Sequence, residues 1–529
     1  MNRDMDESIL KHGPWTVKPA GKLVQSLELQ ISIERGINMP RPPMLLIGLL
    51  CVPFLLWCKN DPAYENYFDD KTLRIDYFHI GDSEREIVTL DQVYSYGIWA
   101  GSRIHLIDRL DYGRYTIRVF DQETGRLIFS RGFDSYFGEY QTSGPAAEGI
   151  PRTFHETALI PCPKKPVEFT LHKRDRQNRR LEIFRRTIDP DDIGIIRDSV
   201  LDSSVQIIKT HTGGDPRHKV DIAILGEGYT REEIDKFRRD VERFTRIFFQ
   251  YQPYASLKNG FNITGVLKPS EESGIDEPRA AVFKRTALNA SFNALGSERY
   301  LLTEDNRSLR DIAAHIPYDT VVIMVNHRRY GGGGIYNFYC TFTSDTQFHE
   351  YIFIHEFGHS FAGLGDEYYT SSVAYNDFYP QGIEPVEPNI TALLDPADLK
   401  WKDLLAPGIE IPTPWEKAAY DEMDYAWQKR RREMNDQIAE LKRSGAPADE
   451  IQRAEQEYER KDREHSQKVD AFLTGSRYFS RVGAYEGAGY ASQGLYRPMV
   501  DCIMFSKGSK PYCKVCEAAV TTVIRRYLK

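Results

Sequence analysis

The chain has 529 residues, with 69 basic and 77 acidic side chains and a formal net charge of −8. Hydrophobic residues make up 41% of it, enough to bury a core, so a wholly disordered protein is excluded. The lack of a basic excess argues against nucleic-acid binding, and a mean hydropathy of −0.50 excludes a polytopic membrane protein.

The first predicted element is an export signal. Residues 44–57 form an apolar run that is shorter than the about 20 residues of a spanning helix, and Arg41 supplies a positive flank. A short buried helix is the alternative, which Pro53 disfavours. We expect the start at Met39 or Met44, with residues 1–38 a misassigned extension, or else a signal with a long n-region.

Cys58 follows the apolar run directly, as the lipidated cysteine of a bacterial lipoprotein does, although Trp57 stands where such sites have a small residue. Residues 1–59 therefore predict an exported bacterial protein. It would be either secreted or held at the cell surface or in the periplasm, with a lipid on Cys58 as its membrane attachment.

Residues 60–204 predict a β-sandwich. Period-two alternation marks strands at 115–120 and 126–130 around a hairpin loop at 121–125. A second pair lies at 167–172 and 180–188. Several short strands separated by turn signals are typical of a sandwich.

Residues 205–529 predict a catalytic domain of the α/β class with a mixed sheet. Apolar strands at 220–225, 261–267 and 320–325 alternate with helices, one of them opened by a capping box of Thr230 and Glu233. Inserted at 414–474, two charged helical stretches, 415–443 and 449–473, predict an antiparallel hairpin. This hairpin is either a stabilising arm or a contact for substrate or partner.

The stretch from His355 to Glu367 carries the chemistry. Four residues of helix turn about 400°, so His355 and His359 share a face and can reach one zinc ion at about 2.0–2.1 Å. Glu356 lies about 100° further round, where it can take the proton of a zinc-bound water whose pKa the metal lowers toward about 7. Gly363 can end the helix in a left-handed conformation and let Asp366 become the third ligand, with Glu367 as the competing candidate.

Two flanking segments add candidates for substrate binding. Glycines 331–334 predict a mobile loop, and residues 335–343 a strand that could pair with an extended peptide if it lies at a sheet edge. An ordinary edge strand is the alternative. Tyr496 is a candidate donor to the developing oxyanion, or a packing residue.

The C-terminal cysteines predict a disulfide. Cys513 and Cys516 form one C-x-x-C, but a structural zinc needs four ligands and no second such pair is present. In an exported chain, Cys502 paired with Cys513 or Cys516 is therefore expected.

Together these motifs resemble the IgA peptidase family of bacterial zinc metallopeptidases. The resemblance rests on His355-Glu-x-x-His-x-x-x-Gly-x-x-Asp-Glu367, the Tyr-Gly-Gly-Gly-Gly segment and Cys-Ile-Met504, which is similar to the methionine turn of metzincins. It implies that His355, His359 and Asp366 bind the zinc, that Glu356 is the base and that Met504 packs beneath the histidines. Three residues separate the second histidine from the glycine, where ordinary metzincins have two.

The function implied is that of an exported zinc endopeptidase with one catalytic Zn²⁺, acting on protein or peptide substrates. A zinc hydrolase of cell-wall peptides is the first alternative. The second is a surface binding protein with a structural zinc, against which the intact Glu356 argues. Nothing in the sequence indicates a preference for immunoglobulin A.

Overall fold

A computed structural model describes residues 61–198, 201–370 and 378–528. Residues 1–59, with the apolar run and Cys58, lie outside the described residues, so export and lipidation stay predictions. No helix in the described part of the chain is long and apolar enough to cross a bilayer.

The N-terminal part folds into two antiparallel sheets around one core. The first has the strand order β2-β1-β5 and the second the order β4-β3-β6-β7. Alternate side chains such as Ile75, Val119 and Phe169 meet in the core that both sheets share, which confirms the predicted alternation and the hairpin at 121–125. The elements are α1 Tyr64–Tyr67, β1 Phe68–Gly81, β2 Glu86–Tyr96, β3 Tyr115–Asp121, β4 Leu127–Phe133, α2 Tyr136–Gln141, α3 Gly144–Ala147, β5 Arg152–Pro163, β6 Val167–Arg174 and β7 Arg180–Ile188.

A six-stranded mixed sheet forms the centre of the C-terminal part, in the order β12-β13-β11-β9-β10-β8. The four inner strands are parallel and each edge strand is antiparallel to its neighbour, as predicted for a mixed α/β sheet. The elements are β8 Gln206–Thr212, β9 Val220–Glu227, α4 Ile234–Phe248, β10 Phe261–Leu267, α5 Asn306–Ala313, β11 Thr320–Val325, β12 Gly332–Ile335, β13 Tyr339–Thr343 and α6 His349–Ala362.

Both faces of this sheet are covered, which explains its continuous apolar strands. On one face, Ile222 and Ile224 of β9 belong to the same core as Phe237 of α4 and Phe357 of α6. On the other face, Leu225 packs into the core that contains α5. Helix α6, which carries the two histidines, is therefore held by the sheet along its length.

The capping box is present, since the Thr230 N–H donates to Glu233 Oε2 at 3.0 Å. Helix α5 begins at Asn306, because the side chain of Asp305 accepts the N–H of Ser308 and caps the helix.

The prediction of one strand over 335–343 is wrong. Residues 336–338 form a tight turn, with Asn337 at φ 53°, and three of the four glycines predicted as a mobile loop belong to the edge strand β12. Strand β13 lies between β12 and β11, so it has no free edge for a peptide. The outer side of β12 is partly covered as well, because Gly332 O accepts the N–H of Leu301 at 3.1 Å.

The predicted helical hairpin is confirmed. Its helices are joined by a turn in which Gly445 has φ 67°, a conformation that favours glycine. The remaining elements are α7 Lys417–Arg443, α8 Ala448–Thr474, β14 Tyr485–Ala488, β15 Ala491–Arg497 and α9 Lys514–Arg525.

Candidate active site

Strand β12 lies directly against helix α6 because its glycines have no side chains. A Cβ at Gly334 would lie 2.6 Å from the carbonyl oxygen of Glu356 and 2.8 Å from Cβ of His359. A Cβ at Gly332 would lie 2.9 Å from Glu356 Oε1. The glycine run therefore allows the sheet edge to approach the helix at the turn that carries the three chemical side chains.

Three potential ligand atoms converge beside this turn. The Nε2 atoms of His355 and His359 are 3.1 Å apart, and each lies 3.1 Å from Asp366 Oδ1. Ligands about 2.0 Å from a tetrahedral ion lie about 3.3 Å from one another, so the triangle has the size that zinc requires. Gly363, at φ 61°, ends α6 and lets the chain turn back to Asp366.

Neighbouring backbone groups orient both imidazoles. His355 Nδ1 lies 2.9 Å from the Ile503 carbonyl oxygen, and His359 Nδ1 lies 2.5 Å from that of Leu364. A carbonyl can only accept, so each Nδ1 carries the proton and each Nε2 has a lone pair for a metal. The second oxygen of Asp366 accepts a hydrogen bond from the Tyr490 hydroxyl.

The local charges suit a cation site. Burial alone would raise the pKa of Asp366, but the positive charge that His359 and His355 carry when both ring nitrogens are protonated holds that pKa far below its usual range. Burial, opposed by the two histidines, raises the pKa of Glu356, which makes its carboxylate a better proton acceptor than an exposed one. The site thus combines an ionised carboxylate ligand with a more basic carboxylate beside it.

Glu367 points away from the histidines. Its side chain is fully buried, and Oε1 accepts a hydrogen bond from Asn389 Nδ2 at 3.0 Å and lies 3.1 Å from the Cys516 sulfur. The geometry therefore favours Asp366 over Glu367 as the partner of the histidines.

Met504 lies beneath the helical turn between the histidines. It is fully buried, and its sulfur is 3.2 Å from the position of a Cβ on Gly358. This is the place that the resemblance to the methionine turn implies for it.

The structure does not bring Tyr496 to the site. Tyr496 lies in β15, where its backbone pairs with Thr391, and it is not among the described residues that line the cavity beside α6. Tyr490 and Tyr368 do line this cavity, and Tyr368 stacks on His355 at 6.2 Å between ring centroids. The sequence offers no periodic signal for these loop tyrosines.

The cavity has a volume of about 190 Å³. Helix α6 and strand β12 line this cavity, and so does the helical hairpin, which favours a substrate contact over a stabilising arm. Trp427 of α7 stacks on His465 of α8 with 5.0 Å between ring centroids, and Arg431 pairs with Glu298. The lining residues from the hairpin are Tyr420, Asp424, Trp427, Gln428, Arg431, Asp462, His465, Ser466 and Val469.

The disulfide prediction is wrong. Cys502, Cys513 and Cys516 are all free thiols, and the Cys502 and Cys516 sulfurs are 3.9 Å apart, whereas a disulfide bond is about 2.05 Å long. The three sulfurs surround the carboxylate of Glu367, which sequence spacing alone could not place among them.

A mixed α/β domain in which two histidines and a carboxylate converge beside a glutamate indicates a metal-dependent hydrolase. The family model of the IgA peptidase M64 matches residues 208–524, and that of the peptidase M64 N-terminus matches residues 63–185. The first match spans more than half of the chain, so the chain belongs to the IgA peptidase M64 family. It is therefore a metallopeptidase whose substrates are proteins or peptides. No curated protein sequence matches the chain.

Proposed function

We propose that this protein is an exported zinc endopeptidase that uses Glu356 as its catalytic base. The observation that carries the proposal is the 3.1 Å triangle of His355 Nε2, His359 Nε2 and Asp366 Oδ1, with Glu356 on the same cavity wall. Two imidazoles and one carboxylate form a common ligand set of catalytic zinc, which leaves a fourth position for water or substrate.

The residues of this site have separate roles in peptide hydrolysis. Zinc, when bound, supplies polarisation of the scissile carbonyl and a lowered pKa for water. Glu356 accepts the proton of the attacking water and returns it to the leaving nitrogen. The carbonyls of Ile503 and Leu364 keep the histidines in the required tautomer, and Tyr490 holds the second oxygen of Asp366.

The finer architecture belongs to the same proposal. The catalytic domain is metzincin-like, supported by Gly363 at the end of the zinc helix and Met504 beneath the histidines. The N-terminal part is a β-sandwich, supported by the core that its two sheets share. Export rests on the sequence alone, through the apolar run at 44–57 and Cys58.

The first experiment compares the wild type with Glu356→Gln on a mixed panel of proteins, immunoglobulin A included, and on cell-wall peptides. New N-termini are read by mass spectrometry, and the zinc content of both proteins is measured. We expect protein cuts that the variant makes about 10²–10⁴-fold more slowly at unchanged zinc content. Wild-type turnover in the variant would exclude Glu356 as the base, and cuts confined to cell-wall peptides would overturn the endopeptidase proposal.

A further inference from the structure

A second group of metal-ligating side chains lies behind the active site. Its potential ligand atoms, one from each residue, all lie within 4.8 Å of one another, and all its members are buried. We call it the cysteine–glutamate cluster; its members are Glu367, Cys502, Cys513 and Cys516.

The distances in the cysteine–glutamate cluster suit a tetrahedral ion. Sulfurs about 2.3 Å from zinc lie about 3.8 Å apart, and a sulfur and a carboxylate oxygen about 3.5 Å apart. Here the Cys502 and Cys516 sulfurs are 3.9 Å apart, and Glu367 Oε1 lies 3.1 Å from the Cys516 sulfur and 4.0 Å from that of Cys513. Three thiols and one carboxylate are the four ligands that a closed structural zinc site needs.

Backbone N–H groups are directed at the sulfurs. The Cys502 sulfur accepts from the N–H of Cys513 at 3.2 Å and from that of Met504 at 3.5 Å. The Cys513 sulfur accepts from the N–H of Cys516 at 3.4 Å and caps helix α9. Such donors, together with the positive end of a helix, stabilise thiolates, the form in which cysteine binds metals.

The carboxylate of Glu367 is only partly satisfied within the cluster. Glu367 is fully buried, and its Oε2 has no hydrogen-bond partner among the described residues. A divalent cation at the centre would satisfy the buried carboxylate and stabilise the thiolates, since buried charges in proteins are paired or coordinate metals.

We propose that the cysteine–glutamate cluster binds a structural zinc ion, separate from the catalytic one. The ligands come from three segments that meet behind the histidines: the turn after α6, the loop of Met504 and the start of α9. The Glu367 N–H donates to Met504 O at 2.9 Å, and the Ile503 carbonyl between Cys502 and Met504 orients His355. The ion thus fixes the loop that holds the first histidine in its metal-binding tautomer.

The experiment uses the full-length protein and Co²⁺ as the probe. A His355→Ala/His359→Ala variant removes the catalytic ligands and leaves the cysteine–glutamate cluster intact. We expect it to bind one equivalent of Co²⁺ with thiolate-to-cobalt charge-transfer absorption. Adding Cys516→Ser should abolish this absorption, whereas adding Cys162→Ser, a buried cysteine outside the cluster, should leave it unchanged.

Wild-type measurements keep the test valid if Cys516→Ser fails to fold. We expect two zinc equivalents per chain, and three thiols that react with a thiol reagent only after a chelator is added. A single zinc without thiolate absorption in the Co²⁺ form would overturn the proposal, as would a disulfide among the three cysteines in the purified protein. These readouts do not use peptidase activity, so an inactive protein would leave this inference standing.

Discussion

Asp366 and Glu367 are adjacent in the chain but face different parts of the molecule. Asp366 Oδ1 contacts both histidines, whereas Glu367 turns into the cysteine–glutamate cluster. We therefore expect Asp366→Ala to lose the catalytic zinc and nearly all activity, because two neutral imidazoles bind the ion weakly without the carboxylate. Zinc content by mass spectrometry checks this expectation. An unchanged zinc content in Asp366→Ala would mean that another residue is the third ligand.

Tyr490→Phe is the milder companion variant. It keeps Asp366 but removes the hydroxyl that holds its second oxygen, and losing an outer-shell partner of this kind typically weakens metal binding about 10–100-fold. The same measurement of zinc content tests Tyr490→Phe.

At the scale of single residues, sequence spacing predicts which side chains a helix brings together, but few contacts beyond those. His355, Glu356 and His359 come together because helical geometry depends on chain-local hydrogen bonds. Tyr490 and Glu367 reach their partners through loops, so their contacts depend on tertiary packing. The C-terminal cysteines show this limit. Their sequence spacing indicated a disulfide and did not reveal that Glu367 lies beside them.

At the scale of elements, the helical hairpin is expected to select substrates. Trp427 lines the same cavity as α6, so Trp427→Ala should remove a large apolar contact. We expect this variant to raise KM several-fold or to change the cleavage sites, at unchanged zinc content. The matched control is Gln437→Ala, an exposed position on the same helix. Kinetics and N-terminal mapping that leave both variants like the wild type would make the hairpin a stabilising arm.

Strand β1 contains a buried histidine between two carboxylates. His79 Nδ1 lies 2.9 Å from Glu156 Oε2, and its Nε2 lies 2.7 Å from Glu86 Oε1, which Lys173 also contacts. Burial alone would lower the pKa of His79, but Glu156 and Glu86 raise it from 6.5 to about 9. The charged histidine thus stabilises the fold fully below about pH 6.5, and this contribution is lost as the pH rises through about 9.

The shift in the pKa of His79 corresponds to about 3 kcal/mol of unfolding free energy. We expect the free energy of unfolding of the wild type to fall by roughly this amount between pH 6 and pH 9.5. His79→Gln should be less stable at pH 6 and lack this part of the pH dependence. Urea titrations of both proteins test this, and identical pH profiles would contradict it.

The elements themselves were predicted unevenly. The ends of the long helices α7 and α8 lie within two residues of the predicted ones, because a periodic pattern over many turns is a strong signal. Strand β12 was missed because glycines carry no hydrophobic period. They form a strand here through close contact with α6, a tertiary reason that local propensity does not contain.

At the scale of the whole molecule, polar contacts join the N-terminal sheets to the peptidase fold. Arg74 of β1, which also binds Asp76 of the same strand at 2.7 Å, pairs across to Asp311 of α5 at 2.6 Å. Asn306 of α5 donates to Thr157 of β5 at 2.8 Å. Because these contacts cross from one part to the other, we expect residues 60–529 to unfold in a single cooperative transition.

Arg74→Met tests this coupling. The variant leaves the carboxylate of Asp76 buried without its cation, which should cost about 3–5 kcal/mol of unfolding free energy. Arg85→Met is the control, because Arg85 is 71% exposed in its pair with Asp82 and such pairs contribute about 1 kcal/mol or less. Calorimetry should show one transition moving to lower temperature in Arg74→Met. Two transitions, of which the variant shifts a single one, would mean that the N-terminal sheets unfold independently and that the contacts of Arg74 with α5 do not couple the two parts.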